Sequence, residues 1–282
     1  MLPPSIVLDS IIKDWLREDI GRGDSTTQGL LLCDSRGKAQ WVMKEDGVIA
    51  GLPIAARVFQ LLDKQINFTV MVEEGKSFKS GTTIATIEGK KEALLMGERV
   101  ALNLAMRLSG IATETKKYVD QIADLPTQFV DTRKTTPGLR ILEKYATQVG
   151  GGVNHRLGLD DAVMIKDNHI QAAGGITEAI ASIKNNIPYT LSIEVETSNL
   201  AEVEEALINK VDIIMLDNMS LEMMREAVKL IREREPKVKI EASGNITLER
   251  IRAVAETGVD YISSSAPITR SCWLDLSMRI DS

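Results

Sequence analysis

The sequence has few aromatic residues, few histidines and cysteines, and no long apolar run. Aromatics make up 4% of its 282 residues. That argues against the stacking platforms of single-stranded nucleic-acid binders and against a secreted β-sandwich with few disulfides. The two cysteines, Cys33 and Cys272, sit in neither a CxxC nor a metal-type spacing, which implies reduced thiols and a cytoplasmic setting. No stretch approaches the roughly 20 apolar residues that span a bilayer. The opening MLPPSIVLDSIIKDW lacks the basic start and apolar centre of a signal peptide, so no membrane partner is expected. Nor is there a basic excess: 34 Lys and Arg against 40 Asp and Glu give a net charge of −6. Such a chain has no global attraction for nucleic acid or anionic lipid. An anionic ligand would have to be met by a local cluster of cations beside glycines.

Apolar residues are nonetheless 44% of the chain, ample for a core. The length suits two modest domains, or a barrel with an extension. Residues 6–19 place apolar side chains with a helical period. Between 38 and 89, short apolar stretches alternate with glycine and charge, predicting strands and turns with one short helix over 55–63. Residues 92–108 predict a strong helix stopping near Ser109-Gly110, with a second helix over 113–123. After Pro126 the organisation changes. Apolar runs at 128–131, 162–166, 190–196, 211–217, 237–243 and 259–265 alternate with helical patterns at 137–149, 177–184, 199–209, 221–235 and 248–257. Such alternation predicts parallel strands joined by right-handed crossovers. The architecture is then a β/α barrel, complete or open, with a doubly wound sheet as the alternative.

Most of these runs end on polar residues: Asp131, Lys166, Glu196, Asp217, Ser243 and Ser264. In β/α barrels the carboxyl ends of the strands gather on the functional face. Thr132, Arg133 and Lys134 follow the first run, just before a helix whose start at Thr135-Thr136-Pro137 would favour an anion. Gly150-Gly151-Gly152 allow close backbone approach, and His155 and Arg156 come next. Both histidines of the chain, His155 and His169, lie near Arg133, Lys134, Arg156 and Lys166, which points to an anion pocket. Period two puts Glu194 and Glu196 on one side of their strand. With Asp217 they require partners, either the lysines or a hard cation such as Mg²⁺. Ser243-Gly244-Asn245 and Ser263-Ser264-Ser265-Ala266-Pro267 offer backbone N–H groups at strand-to-helix turns, as a phosphate cradle does. No Cys/His metal set is present.

The stretch DTRKTTPGLRILEKYATQVGGGVNHRLGLDDAVMIKDNH (131–169) resembles the quinolinate phosphoribosyltransferase family. So do EDIGRGDSTT (18–27), ERVALNLAMRLSGIAT (98–113), IEVE (193–196), MLDN (215–218) and EASGNI (241–246). The resemblance implies an α/β fold in two parts. An N-terminal α/β sandwich domain over 1–110, joined by the segment 270–282, precedes an open β/α barrel catalytic domain over 111–269. It also implies a homodimer with shared active sites, or a higher oligomer of it. The implied activity transfers phosphoribosyl from phosphoribosyl pyrophosphate to quinolinate with decarboxylation, in NAD biosynthesis, with Mg²⁺ arriving on the substrate. Arg99 would reach the neighbouring subunit's site. Thr132, Arg133, Lys134, His155, Arg156 and Lys166 would line the pocket for quinolinate and diphosphate. Glu196 and Asp217 would lie near the ribose and Mg²⁺, and the catalytic set would be Lys134, Lys166, Glu196 and Asp217. Ser243, Gly244 and Asn245 with Ser264, Ser265 and Ala266 would hold the 5′-phosphate. The last loop departs from the family's VGALTHS-like pattern: SSSAPITRS lacks its glycine and histidine and carries Pro267 and Arg270. A related type II phosphoribosyltransferase with another substrate and a non-catalytic phosphoribosyl-binding protein are the alternative readings. The set Arg133, His155, Arg156 and Lys166 favours a dicarboxylate.

Overall fold

The computed structural model describes residues 2–30, 32 and 35–281. Cys33 lies outside them, and Cys272 is exposed as a free thiol. By internal contacts the chain divides into one unit of residues 1–116, 141–151 and 270–282, and another of 117–140 and 152–269. Among the described residues no helix is long and apolar enough to cross a membrane.

The first unit contains α1 (Ser5–Ile20), α2 (Ser25–Gly29), β1 (Arg36–Met43), β2 (Gly47–Val48), α3 (Leu52–Leu62), β3 (Asn67–Val70), β4 (Ser77–Phe78), β5 (Thr83–Lys90) and most of α4 (Lys91–Gln121). Leu8, Ile12 and Leu16 form the buried stripe of α1 at helical spacing, and Gly21 stops that helix with φ 56°, its N–H returning to Arg17 O. A four-stranded antiparallel sheet runs β12-β1-β5-β3, where β12 is Leu276–Ile280. Trp41 on β1 anchors its core, with ring centroids 6.2 Å from Phe59 and 5.7 Å from Phe68.

One expectation is overturned here. The break at Ser109-Gly110 does not exist; α4 runs through it for 31 residues. The small residues serve packing instead. Ser109 Oγ accepts the Ala50 N–H and donates to Ala50 O, at 3.0 and 3.1 Å. A Cβ at Gly110 would stand 2.0 Å from Cys272 O, so glycine marks a close backbone approach, not a helix end.

The second unit contains β6 (Gln128–Val130), β7 (Val163–Ile165), α6 (Asp167–Ala173), α7 (Ile176–Asn186), β8 (Ile193–Thr197), α8 (Leu200–Ile208), β9 (Ile213–Asp217), α9 (Leu221–Arg234), β10 (Lys239–Ser243), α10 (Ile251–Ala255), β11 (Tyr261–Ser263) and α11 (Ala266–Thr269). Between β6 and β7 in sequence lies α5 (Arg140–Val149), which groups with the first unit except for Arg140. The six strands are parallel in the order β6-β11-β10-β9-β8-β7. The winding never reverses, which excludes the doubly wound alternative. The last strand pairs with the first, while β6 and β7 do not pair, so the barrel is open there. Outward residues Ile165, Val195, Ile214, Leu216, Ile240, Ala242 and Ile262 join the apolar core with the helices. Their neighbours in sequence, Lys166, Glu194, Glu196, Met215, Asp217, Glu241, Ser243 and Ser263, take the opposite face. Asn199 and Ser220 cap α8 and α9 by accepting N–H groups of Glu202 and Met223.

The helix expected from Pro137 starts only at Arg140. Gly138 has φ 81° and the Leu139 N–H bonds Thr136 O at 3.0 Å, a turn that delays the helix. Arg133 and Lys134 therefore precede a turn, not the first free N–H groups of a helix. The short helix α6, beginning directly after Lys166, has no counterpart in the sequence reading.

Candidate active site

A cavity of about 570 Å³ opens at the carboxyl ends of the parallel strands. Its first wall is cationic and made of loops. Asp131, buried just past β6, accepts the His155 backbone N–H at 2.9 Å and Asn154 Nδ2 at 2.7 Å, so it fastens the 153–156 loop to the end of β6. Thr132 Oγ1 accepts the Lys134 N–H at 3.0 Å. Arg140 ties two loops together, Nε donating to Thr135 Oγ1 at 3.0 Å and Nη1 to Leu157 O at 3.2 Å. Arg156 donates to Ala162 O at 2.8 Å. Burial, and then the charge of Arg133, lower the proton affinity of Arg156. Arg133 Nε and Nη1 are buried with no hydrogen-bond partner among the described residues while the residue lines the cavity. Desolvated guanidinium donors of this kind are costly unless an anion meets them.

The opposite wall is built on strand ends. Glu196 and Asp217 project from the last turns of β8 and β9, where Glu196 lies level with Met215 and Asp217 with Ser243. Lys166 Nζ sits 3.2 Å from Glu196 Oε2, joining the two walls. Ser243, Gly244 and Asn245 complete this side. Gly244 and Asn245 are left-handed, with φ 91° and 51°, and such a turn exposes successive N–H groups to an anion.

Beneath them lies a buried cluster. His155 Nε2 is 3.1 Å from Glu194 Oε2 and 3.4 Å from Glu241 Oε2. The Arg156 backbone N–H donates to His155 Nδ1 at 2.7 Å. Nε2 therefore carries a proton and aims it at both carboxylates. Burial opposes charge on the ring, but the two glutamates outweigh it and push the histidine up to about 10. Burial likewise raises Glu194. The extra proton is shared within the cluster, which titrates as a unit.

The cavity thus collects Thr132, Arg133, Lys134, His155, Arg156, Lys166, Glu196, Asp217, Ser243, Gly244 and Asn245. Five other expected residues stand elsewhere. Arg99 is exposed on α4, in the first unit. Ser264 Oγ accepts the Ala266 N–H at 3.2 Å and so starts α11; neither it nor Ser265 nor Ala266 lines the cavity, whereas Ser263 does. His169 faces a separate cavity of about 350 Å³, and its Nδ1 accepts the Lys166 N–H at 3.0 Å. Glu241 and Asn218 line the cavity without having been singled out in the sequence, and Ser263 is the one residue of the expected 263–267 cradle that reaches it. For Glu241 the signal was the period-two row Lys239, Glu241, Ser243; for Asn218 nothing but its place after Asp217.

The family model for the N-terminal domain of quinolinate phosphoribosyl transferase matches residues 24–109, and that for the C-terminal domain matches 111–279. A probable nicotinate-nucleotide pyrophosphorylase [carboxylating] of Synechocystis is 64% identical over 279 residues, covering 99% of this chain and 94% of that protein. The probable enzyme of the same name from Bacillus subtilis is 42% identical, covering 97% and 93%. The solved nicotinate-nucleotide pyrophosphorylase of Francisella tularensis superposes with a TM-score of 0.93 at 39% identity, covering 99% and 98%. Matched across both domains and in fold, the chain belongs to the quinolinate phosphoribosyltransferase family.

Proposed function

We propose that the chain transfers the phosphoribosyl group of phosphoribosyl pyrophosphate to quinolinate with loss of CO₂, giving nicotinate mononucleotide and diphosphate. One observation carries this reading. A single cavity sets the unpartnered donors of Arg133 beside Arg156, and faces them with Glu196, Asp217 and the 243–245 turn. A pyridine dicarboxylate needs paired cations, a sugar phosphate needs a backbone-rich anion site, and a ribose gaining positive charge needs carboxylates nearby.

Arg133 and Arg156 hold the carboxylates of quinolinate, the guanidinium fork matching a carboxylate with two donors. This fixes the ring nitrogen for attack on C1 of the ribose. The nitrogen lone pair forms the new bond as the C1–O bond breaks, and its electron pair leaves with diphosphate, received by Lys134 and Lys166. Glu196 and Asp217 stabilise the positive charge that the sugar develops. The ring nitrogen is now cationic. The adjacent carboxylate departs as CO₂, its bonding pair stays on the ring carbon beside that cation, and a proton then replaces it. Glu196 and Asp217 offer oxygen ligands only, and one oxygen of each is already engaged, by Lys166 and by Asn218. They fit a Mg²⁺ ion that remains on the diphosphate better than one in a protein cage, and that ion would supply charge neutralisation of the leaving group.

Arg99 completes a partner's site in a homodimer; its exposure on α4 supports this. Mixing Arg99→Ala with Lys166→Ala under subunit exchange should partly restore activity, since one site of a mixed dimer then carries neither lesion. No restoration would exclude the shared site. The isolated cysteines accord with a cytoplasmic setting.

The main test is direct. Purified chain with quinolinate, phosphoribosyl pyrophosphate and Mg²⁺ should yield nicotinate mononucleotide and CO₂, and excess EDTA should stop the reaction. Faster turnover of nicotinate than of quinolinate would overturn the dicarboxylate reading.

A further inference from the structure

Asn218 follows Asp217 at the end of β9 and lines the cavity. It is one of three non-glycine residues with positive φ among those described, at 54°; Asn245, past the end of the adjacent strand β10, is another at 51°. Left-handed asparagines are tolerated but uncommon, and strained backbone gathers at functional sites. Their side chains meet. Asn218 Nδ2 donates to Asp217 Oδ2 at 2.7 Å, and Asn245 Nδ2 donates to Asn218 Oδ1 at 3.1 Å. The direction of this chain is fixed by chemistry. An ionised carboxylate only accepts, so Asn218 must turn its NH₂ to Asp217 and its oxygen to Asn245. Asn245 must then present its own NH₂, which has a second N–H for an anion. The Asn218 backbone N–H bonds Ser243 O at 3.0 Å, tying the residue to the start of the same turn. Gly244 shares in the arrangement: a Cβ there would stand 2.2 Å from Asn218 Oδ1 and 2.5 Å from its Cγ. Any side chain at 244 would displace the amide.

We infer that Asn218 is a positioning residue that couples the 243–245 turn to the Asp217 carboxylate. An anion held at the turn orders Asn245, Asn245 orders the Asn218 amide, and the amide orients Asp217 toward the ribose. The inference rests on the functional reading above, in which the turn takes the 5′-phosphate. Binding energy from a part of the substrate that does not react is thereby used at the part that does.

Three variants separate this role from a purely structural one. N218G keeps the left-handed backbone and removes the amide. N218D keeps the acceptor toward Asn245 and removes the donor toward Asp217. N218A tests the loss of both the amide and the backbone preference. The measurements are kcat and KM for phosphoribosyl pyrophosphate, the affinity for ribose 5-phosphate by calorimetry, and the thermal midpoint. N218G and N218D should both lose kcat by roughly a hundredfold, as misplacement of a reacting group does. KM should stay close to that of the unaltered chain. N218D should still bind ribose 5-phosphate, and N218G should melt near the unaltered chain. If N218G turned over as fast as the unaltered chain, Asn218 would serve only to bend the backbone and the coupling would be excluded. If the unaltered chain formed no nicotinate mononucleotide, the functional reading would fall, and the coupling with it.

Discussion

The two walls of the cavity are built in different ways. The acids stand on strand ends, where the ladder with neighbouring strands fixes their Cα positions: Glu196 is held opposite Met215, and Asp217 opposite Ser243. The cations Arg133, Lys134 and Arg156 stand on loops, and loops must be fastened by side chains. Asp131, Thr132 and Arg140 do this through bonds of 2.7 to 3.2 Å. The site is fragile where loops carry it. The acidic wall comes with the barrel, whereas the cationic wall depends on a few hydrogen bonds that can be removed one at a time.

The largest loss should come from removing a cation itself. Arg133→Ala should lower kcat/KM for quinolinate by roughly 10²–10³-fold, the scale of losing one preorganised donor. Arg133→Lys should recover little, because an ammonium cannot reproduce the fork. Steady-state kinetics decide it; near-normal activity in either variant would mean that Arg133 does not touch substrate.

The junction of the walls can be tested by pH. The folded histidine of the cluster is raised from 6.5 to about 10. A raised folded value means that the stabilisation is fully present below pH 6.5 and is lost as pH rises through about 10. Urea unfolding between pH 6 and 10 should show stability falling with pH, and Glu241→Gln should flatten the slope. An equal slope in the variant would remove the cluster as its source.

The smallest effect belongs to a loop fastener. Arg140→Ala deletes the links to Thr135 and Leu157, worth about 1 kcal/mol, and should lower kcat/KM several-fold. A loss as large as that of Arg133→Ala would give Arg140 a direct part in binding.

Strand-borne and loop-borne residues also differ in how legible they are in the sequence. Glu196, Asp217 and Ser243 could be found because strand periodicity and strand ends are local signals, and the barrel could be found because its units alternate. Arg133 and Arg156 were visible as cations beside glycines, but the turn at Gly138 that separates them from α5 was not. Within the 263–267 run, which serine faces the cavity is not legible, because side-chain alternation at a strand's last residue depends on where the strand stops. Ser109-Gly110 misled for a related reason. A small pair reads as a helix end, and only residues far along the chain, Ala50 and Cys272, show that it is a packing seat. Asn218 carries no local signal at all, since its role depends on Asn245.

The pairing of β12 with β1 has a consequence for how the chain matures. Residues 276–280 lie antiparallel to residues 39–43, so one edge of the first sheet stays unpaired throughout synthesis of the intervening residues. Contacts this distant along the chain slow folding and leave a strand edge open to misassembly. The residues that divide the two family models, 109 and 111, fall inside the uninterrupted α4. A cut at that point would sever a helix instead of releasing two modules. The first sheet is therefore finished only after residues 276–280 have emerged from the ribosome.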